Sequence, residues 1–292
     1  MGSRRLKSYA GLFLSTVLLI LGIAPLIHLI AVISINGIYV ITKNFPGFFF
    51  EERPLPGSEE IGGVGPYIVG TLILTAIASL IGIPISILAA IYTTQSIRSR
   101  IGPLTSIFVR AMIEFPTIII GLSVYGVLRS LDLALQMIGA QSPIPRFSAL
   151  SGSIALAIVM APFIYSQVEV SLKGVPMHLK EAIYSLGGSK LASSYILLRY
   201  VKASILAGVA IGVGKAMGET APLLFTAFGS DHYPVGGFEA LLKPVGALTL
   251  AIYNMALSGY SNWVEASWGA AFILLSISIA LFTVIRIIAR SG

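Results

Sequence analysis

The sequence predicts an all-α, polytopic membrane protein with six transmembrane helices and both ends on the cytoplasmic side. Three observations carry this. Only 11% of the 292 residues are charged and 56% are hydrophobic, with a mean hydropathy of +0.91. Soluble domains carry about 25% charged residues, so this chain lacks the polar groups to clothe a water-facing surface. Second, the apolar residues gather into six runs of roughly the 20 residues that a bilayer core requires. Third, Lys and Arg concentrate in alternate loops and at both termini. Disorder, a coiled coil and an ordinary cytosolic enzyme are excluded on the same grounds. The chain has no cysteine, which removes disulfide frameworks, thiolate metal sites and cysteine nucleophiles together. Its net charge of +7 is read as loops facing anionic lipid rather than nucleic acid.

The expected spans are Tyr9–Ile33, Tyr67–Tyr92, Phe108–Leu128, Phe147–Val168, Ala203–Phe228 and Ala266–Ile285. The first two contain no formal charge, and the last is closed by Arg286 and Arg290. The length of the first, and the lack of a small-residue cleavage site after it, argue against a removed signal peptide. Pro244–Ser261 is also uncharged over 18 residues. A seventh span would put the two basic ends on opposite sides, so this segment is expected to lie at the outer surface or dip partway in.

With six spans, the termini and the 93–110 and 169–202 loops hold 13 basic residues against three acids, Glu114, Glu169 and Glu181. The other side holds five basic residues and eight acids. Lys/Arg excess marks the cytoplasmic face, which places both termini inside. The first outer loop, Ser34–Pro66, carries Glu51, Glu52, Glu59 and Glu60. It is either a solvated connector or a docking surface for a soluble partner.

The 169–202 loop is the longest on the cytoplasmic side. Leu179, Ala182, Ile183 and Leu186 recur at i, i+3, i+4 and i+7, an apolar stripe on a short helix. Gly187-Gly188 stops that helix, and a second begins near Ser189. Such a projection suits a groove on a partner; the other reading is an amphipathic helix lying on the membrane surface.

The fifth span is unusual because Lys215 and Glu219 lie inside it. Each costs at least about 2.5 kcal/mol in hydrocarbon, so such groups are rare and usually functional. Continued as one helix at about 100° per residue, Gly208, Gly212, Lys215, Glu219 and Thr226 fall on one narrow face. That face offers small residues for close helix approach, then an ion pair, then a hydroxyl. Two readings stay open at this point. The pair is a structural pin between helices, or Lys215 compensates an anion crossing the membrane while Glu219 orients it and limits binding.

Other chemistry finds no support. His28, His178 and His232 are not spaced as metal ligands, and neither a metal nor a cofactor is expected. Around Gly214-Lys215 the nucleotide-binding loop pattern fails at Val209 and Ala216. No Gly-x-Ser-x-Gly or His-Glu-x-x-His occurs, so a membrane hydrolase is not expected. Pro25, Pro84, Pro116 and Pro162 are expected to kink spans, and Trp263 and Trp268 to anchor at the interface.

Two motifs resemble a known family. Glu181-Ala182-Ile183 followed by Gly187 is similar to the EAA loop of ABC importer permeases, with Ile183 in place of alanine and Arg199-Tyr200 where that pattern has Leu-Pro. The run Gly218-Glu219-Thr220-Ala221-Pro222-Leu223-Leu224-Phe225-Thr226-Ala227 resembles the signature of the A-type permease of phosphate ABC importers. Phe115–Gly121, Tyr125-Gly126 and Tyr253–Ala256 resemble the same family, so the likeness runs from about Tyr67 to Arg290. The basic residue four before the glutamate is commonly arginine there; here it is Lys215, which keeps the charge without the bidentate fork.

The resemblance implies a type I ABC importer permease (MetI-like) fold. Residues 1–66 would form an N-terminal transmembrane helix with an extracytoplasmic loop, and residues 67–292 the transmembrane domain with its coupling loop at about 169–202. It implies phosphate import by alternating access, with no ATP hydrolysis by this chain. The implied partners are a homologous second permease, two cytoplasmic ATPase subunits and an extracytoplasmic phosphate-binding protein. Leu179, Glu181, Ala182, Ile183, Leu186 and Gly187 would seat in the ATPase. Lys215, Glu219, Thr220 and Thr226 would line the substrate pathway, and Gly208, Gly212 and Gly218 would serve helix packing. The alternatives are a permease for molybdate or sulfate, an ion-coupled secondary anion transporter, and a non-transporting scaffold.

Overall fold

A computed structural model describes residues 2–95, 100–140, 144–185 and 190–291. Eleven α-helices make up most of it: α1 (Gly2–Lys43), α2 (Gly65–Gln95), α3 (Ile101–Ala111), α4 (Thr117–Gln136), α5 (Ala149–Lys173), α6 (Met177–Ser185), α7 (Lys190–Tyr200), α8 (Lys202–Met217), α9 (Ala221–Leu224), α10 (Leu248–Ala256) and α11 (Ser261–Ser291). Among the described residues there is no strand, only a parallel bridge between Phe228 and Val245. Helices α1, α2, α4, α5 and α11 are each long and apolar enough to cross a bilayer. α7 and α8 meet the same test only as a pair, bent by 75° where they join.

That bend forms without proline. Val201, at φ −98° and ψ 16°, is the single non-helical residue between the two helices. Its N–H still donates to Leu197 and its carbonyl still accepts from Ile205, so the turn residue itself keeps both of its backbone bonds. Proline accounts for a different break. The expected third span divides, because Pro116 holds Phe115 extended at ψ 132°. Helix α3 and a 3₁₀ turn over Met112–Glu114 precede this point, and α4 restarts after it.

α5 is the hub. Pro162 lies inside it without ending it, as does Pro84 in α2, and Leu156, Met160, Ile164, Tyr165 and Val168 are buried against α2 and α8. Its start is fixed by a capping box, with Ser148 accepting from the Ser151 N–H while the Ser151 hydroxyl accepts from Ser148 N–H.

α1 runs to Lys43, ten residues beyond the expected end of the first span, so the outer loop begins at Asn44. The added turns bury Val40 and Ile41, and Gly37 lets the backbone approach Trp268 and Phe272 of α11 closely. Farther back, Leu12, Phe13, Leu18, Ile20 and Leu26 are exposed. The outer loop is folded onto the bundle. Arg53 pairs with Asp231 and stacks 4.0 Å over the Trp263 ring, whose Nε1 donates to the Pro54 carbonyl at 3.0 Å. The Tyr67 hydroxyl donates to the other Asp231 oxygen at 2.5 Å. Trp263 thus clasps the loop to the bundle. Tyr233 donates to the Phe50 carbonyl, and burial, with the Glu52 charge, holds its phenol above the usual range.

α10 answers the question posed by Pro244–Ser261. Nine residues rise about 13 Å, too short to span, and Leu248, Leu250, Ala251 and Met255 are buried. The helix is buried against α2 and α11 rather than lying on a surface.

Candidate translocation site

Lys215 and Glu219 form an ion pair. The cation is half-exposed, at 43%, whereas the carboxylate is buried at 7%. Their contact does not require the continuous helix that the spacing suggests. α8 ends at Met217, and Gly218, at φ −85° and ψ 0°, caps it while donating to the Gly214 carbonyl. Glu219 N–H donates to Ala216 at 3.3 Å, so one further turn holds the carboxylate beside Lys215. Thr220 then opens α9, where Pro222 takes an early position that needs no donor. Since α8 begins at Lys202, Lys215 stands about 20 Å along it, within the depth of a bilayer core.

The glutamate backbone is fixed from a third element. Thr249 of α10 donates to the Glu219 carbonyl at 2.8 Å, and Thr71 of α2 accepts from the α10 Leu248 N–H at 2.8 Å. Farther on, the Thr226 carbonyl accepts from Ser148 N–H and from the Ser151 hydroxyl. The whole broken segment is thus held at its centre by α10 and at its outer end by the start of α5.

Two site expectations need correction. Thr226 is fully buried and its hydroxyl is used on the Pro222 carbonyl at 2.8 Å. It does not share a face with Lys215, because the helix has ended nine residues before it. Gly218 does not serve helix packing: it is exposed, and a β-carbon there would meet only its own preceding turn. Gly214 does that work instead, against Phe282 of α11. Gly208 and Gly212 do sit at a helix interface, facing Gln167 and Ile164 of α5. Thr220 is half-buried, and its carbonyl accepts from the Leu223 and Leu224 N–H groups of α9.

Beyond the end of α5 at Lys173, α6 contains Leu179, Glu181, Ala182 and Ile183; Leu186 and Gly187 lie outside the described residues. Leu179 and Ile183 turn inward onto the chain's own core. Ala182, expected on the same stripe, is exposed together with Glu181. The outward face of α6 therefore mixes polar and small residues with the exposed Met177 and Tyr184.

The residues that sequence reasoning missed lie just above α6. Glu169 is completely buried and accepts from Ser106 at 2.8 Å, Arg110 at 2.8 and 3.1 Å, and Lys173 at 2.7 Å. The i, i+4 spacing of Glu169 and Lys173 was visible. The contact with Arg110, 59 residues away, was not.

No family model matches the sequence. The chain is 38% identical, over 97% of its length and 94% of the relative's, to a probable phosphate transport system permease protein PstA of Methanocaldococcus jannaschii. It is 30% identical to PstA of Pasteurella multocida, over 93% of this chain and 90% of that one. It is 32% identical to PstA of Haemophilus influenzae, over 81% and 80%. A solved chain of the MetNI methionine ABC transporter, in an inward-facing conformation, superposes with a TM-score of 0.60 at 17% identity. That likeness covers 77% of this chain and 94% of the other, and it establishes the type I ABC importer permease fold. With that fold, and relatives of this identity matched over most of their length, the chain belongs to the family of phosphate transport system permease proteins, PstA.

Proposed function

We propose that the chain is the membrane-spanning permease subunit of an ATP-driven importer that takes up inorganic phosphate by alternating access. The observation that carries this is the Lys215–Glu219 pair at a break in the α8–α9 span. A half-exposed cation kept at membrane depth compensates an anion that could not otherwise cross hydrocarbon. Its buried carboxylate partner, anchored through Thr249, holds the ammonium in place and keeps the site from binding the anion too tightly. The relatives' function in phosphate transport supplies the substrate.

In this reading Lys215, Glu219 and Thr220 border the pathway, and ATP is hydrolysed by separate subunits. The partners are a homologous second permease, two cytoplasmic ATPases and an extracytoplasmic phosphate-binding protein. The excess of Lys and Arg puts the α6 side and both termini in the cytoplasm. Residues 1–66 supply the N-terminal helix and outer loop, and residues 67–292 the transmembrane domain proper. The loop around α6 seats in the ATPase, whose closure tilts α8 and opens the Lys215 pathway outward.

The test is uptake of labelled phosphate by membranes containing the assembled transporter, with and without ATP. Uptake that needs ATP and is competed by unlabelled phosphate, but not by molybdate or sulfate, is the expected outcome. Competition by the other oxyanions would reassign the substrate. Uptake driven by a proton gradient without ATP would replace the importer reading altogether.

A further inference from the structure

Glu169 joins the region proposed to receive the ATPase stroke to the region proposed to open. One carboxylate oxygen takes Lys173 Nζ at 2.7 Å and Ser106 Oγ at 2.8 Å; the other takes two nitrogens of Arg110. Charge-assisted contacts of this kind are short and directional. Ser106 and Arg110 belong to α3, and Lys173 is the last residue of α5. The carbonyl of Lys173 accepts from Lys180 Nζ of α6 at 3.3 Å, and only residues 174–176 separate the two helices. On the other side, α3 runs through the 3₁₀ turn at Met112–Glu114 into Pro116, where the span breaks and α4 begins. α4 in turn meets α9 where Gly121 lies against Pro222, three residues beyond Glu219. A displacement of α6 therefore has a short polar route to α3 and from there to the broken segment.

The surroundings distinguish this cluster from a buried pin. The carboxylate is fully buried, but the Arg110 and Lys173 side chains are 48% and 50% exposed. Glu169 and Lys173 line a cavity of about 870 Å³ that is also bounded by Met177, Lys180 and Tyr184 of α6. Lys173 has open space on the α6 side, and Arg110 is half-exposed. They can shift relative to the carboxylate without a core being repacked, which is the property of a joint between two positions.

We infer that Glu169 is a positioning residue for transport: through Lys173 and Arg110 it passes the movement of α6 to α3, and so couples ATP hydrolysis to opening of the Lys215 pathway. The inference rests on the proposed reading of α6 as the ATPase contact. Neutralising Glu169 leaves two half-exposed cations that water can serve, and neutralising Arg110 leaves the carboxylate with Lys173 and Ser106. Both variants are expected to assemble.

The experiment measures phosphate uptake and ATP hydrolysis in the same proteoliposomes holding the complete transporter. For Glu169→Gln and Arg110→Gln the ATP spent per phosphate is expected to rise on the order of tenfold, the size of a typical coupling free energy. Glu169→Asp should restore most of the coupling, and the double variant should be no worse than either single one. Uptake and hydrolysis falling in parallel, or an unchanged ratio, overturns the inference. So does loss of assembly in both variants, because the cluster is then a determinant of folding. A wild-type transporter that moves another oxyanion defeats the substrate reading alone, and the ratio is then taken with that ion. Wild-type uptake that ignores ATP defeats the importer reading and this inference together.

Discussion

Gly121 of α4 lies so close to Pro222 of α9 that a β-carbon on the glycine would stand 2.5 Å from the proline Cα and 2.6 Å from its carbonyl oxygen. Both neighbours are backbone atoms, which cannot swing aside. The contact joins two spans, each broken nearby: α3–α4 at Pro116 and α8–α9 at Gly218–Thr220. Gly126, later on α4, has nothing within 4 Å of its would-be β-carbon. Gly121→Ala is therefore expected to destabilise by about 1–3 kcal/mol through overpacking. Gly126→Ala is expected to be neutral or to stabilise slightly, as alanine does in a helix. Thermal unfolding of the purified assembly, compared for the two variants, checks this.

Lys215→Ala removes the cation and strands a carboxylate that is only 7% exposed, so it mixes two effects. Lys215→Ala combined with Glu219→Gln separates them, because no unpaired charge is then left. Phosphate uptake is expected to fall at least about tenfold in the single variant, in line with loss of a functional intramembrane charge. The double variant should assemble normally and remain inactive. Recovery of uptake in the double variant would make Lys215 a mere counterion.

The outer clasp gives a third expectation. Asp231 accepts from both Arg53 and Tyr67, and Arg53 stacks on Trp263. Asp231 is 42% exposed, so solvent screening discounts the pair. Asp231→Asn should cost roughly 1 kcal/mol, and less in high salt. Limited proteolysis between residues 51 and 61 should quicken, because this loop loses its hold on α2 and α11, while the bundle itself unfolds at nearly the wild-type temperature.

How much of this was legible in the sequence follows from the range of each interaction. The spans are local: an uncharged run of sufficient length announces itself, and α2, α5 and α11 lie where composition puts them. Bends set by proline, as at Phe115-Pro116, are local as well. The 75° turn at Val201 is not, since it goes with long-range packing, α8 against α5 and α7 against α6. Thr226 was misplaced because a helical wheel assumes an unbroken helix, and Gly218 with Pro222 ends that assumption. The Lys215–Glu219 pair was legible because one extra hydrogen-bonded turn past Met217 preserves the i, i+4 geometry. The Arg110–Glu169 contact, between residues far apart in the chain, gave no local signal beyond an arginine at the edge of an apolar run.

The orientation of α6 leads to the last prediction. Its apolar residues Leu179 and Ile183 pack on the chain's own core, and Ile183 is 8% exposed. Glu181, Ala182, Tyr184 and Ser185 face outward. A partner's groove would thus meet a carboxylate, a small residue and an aromatic ring, with Ile183 acting as the anchor beneath. Ala182→Arg places a long cation at the centre of that outward face without touching the core, so stability of this chain should hold within about 0.5 kcal/mol, as for surface substitutions generally. Co-purification of the ATPase subunit should nevertheless drop sharply. Ile183→Asp should do the reverse in order of events, loosening α6 first by burying an unpaired charge and losing the ATPase as a consequence. Thermal unfolding and pull-down measured side by side distinguish the two, and an Ala182→Arg variant that retains its ATPase would place the contact elsewhere.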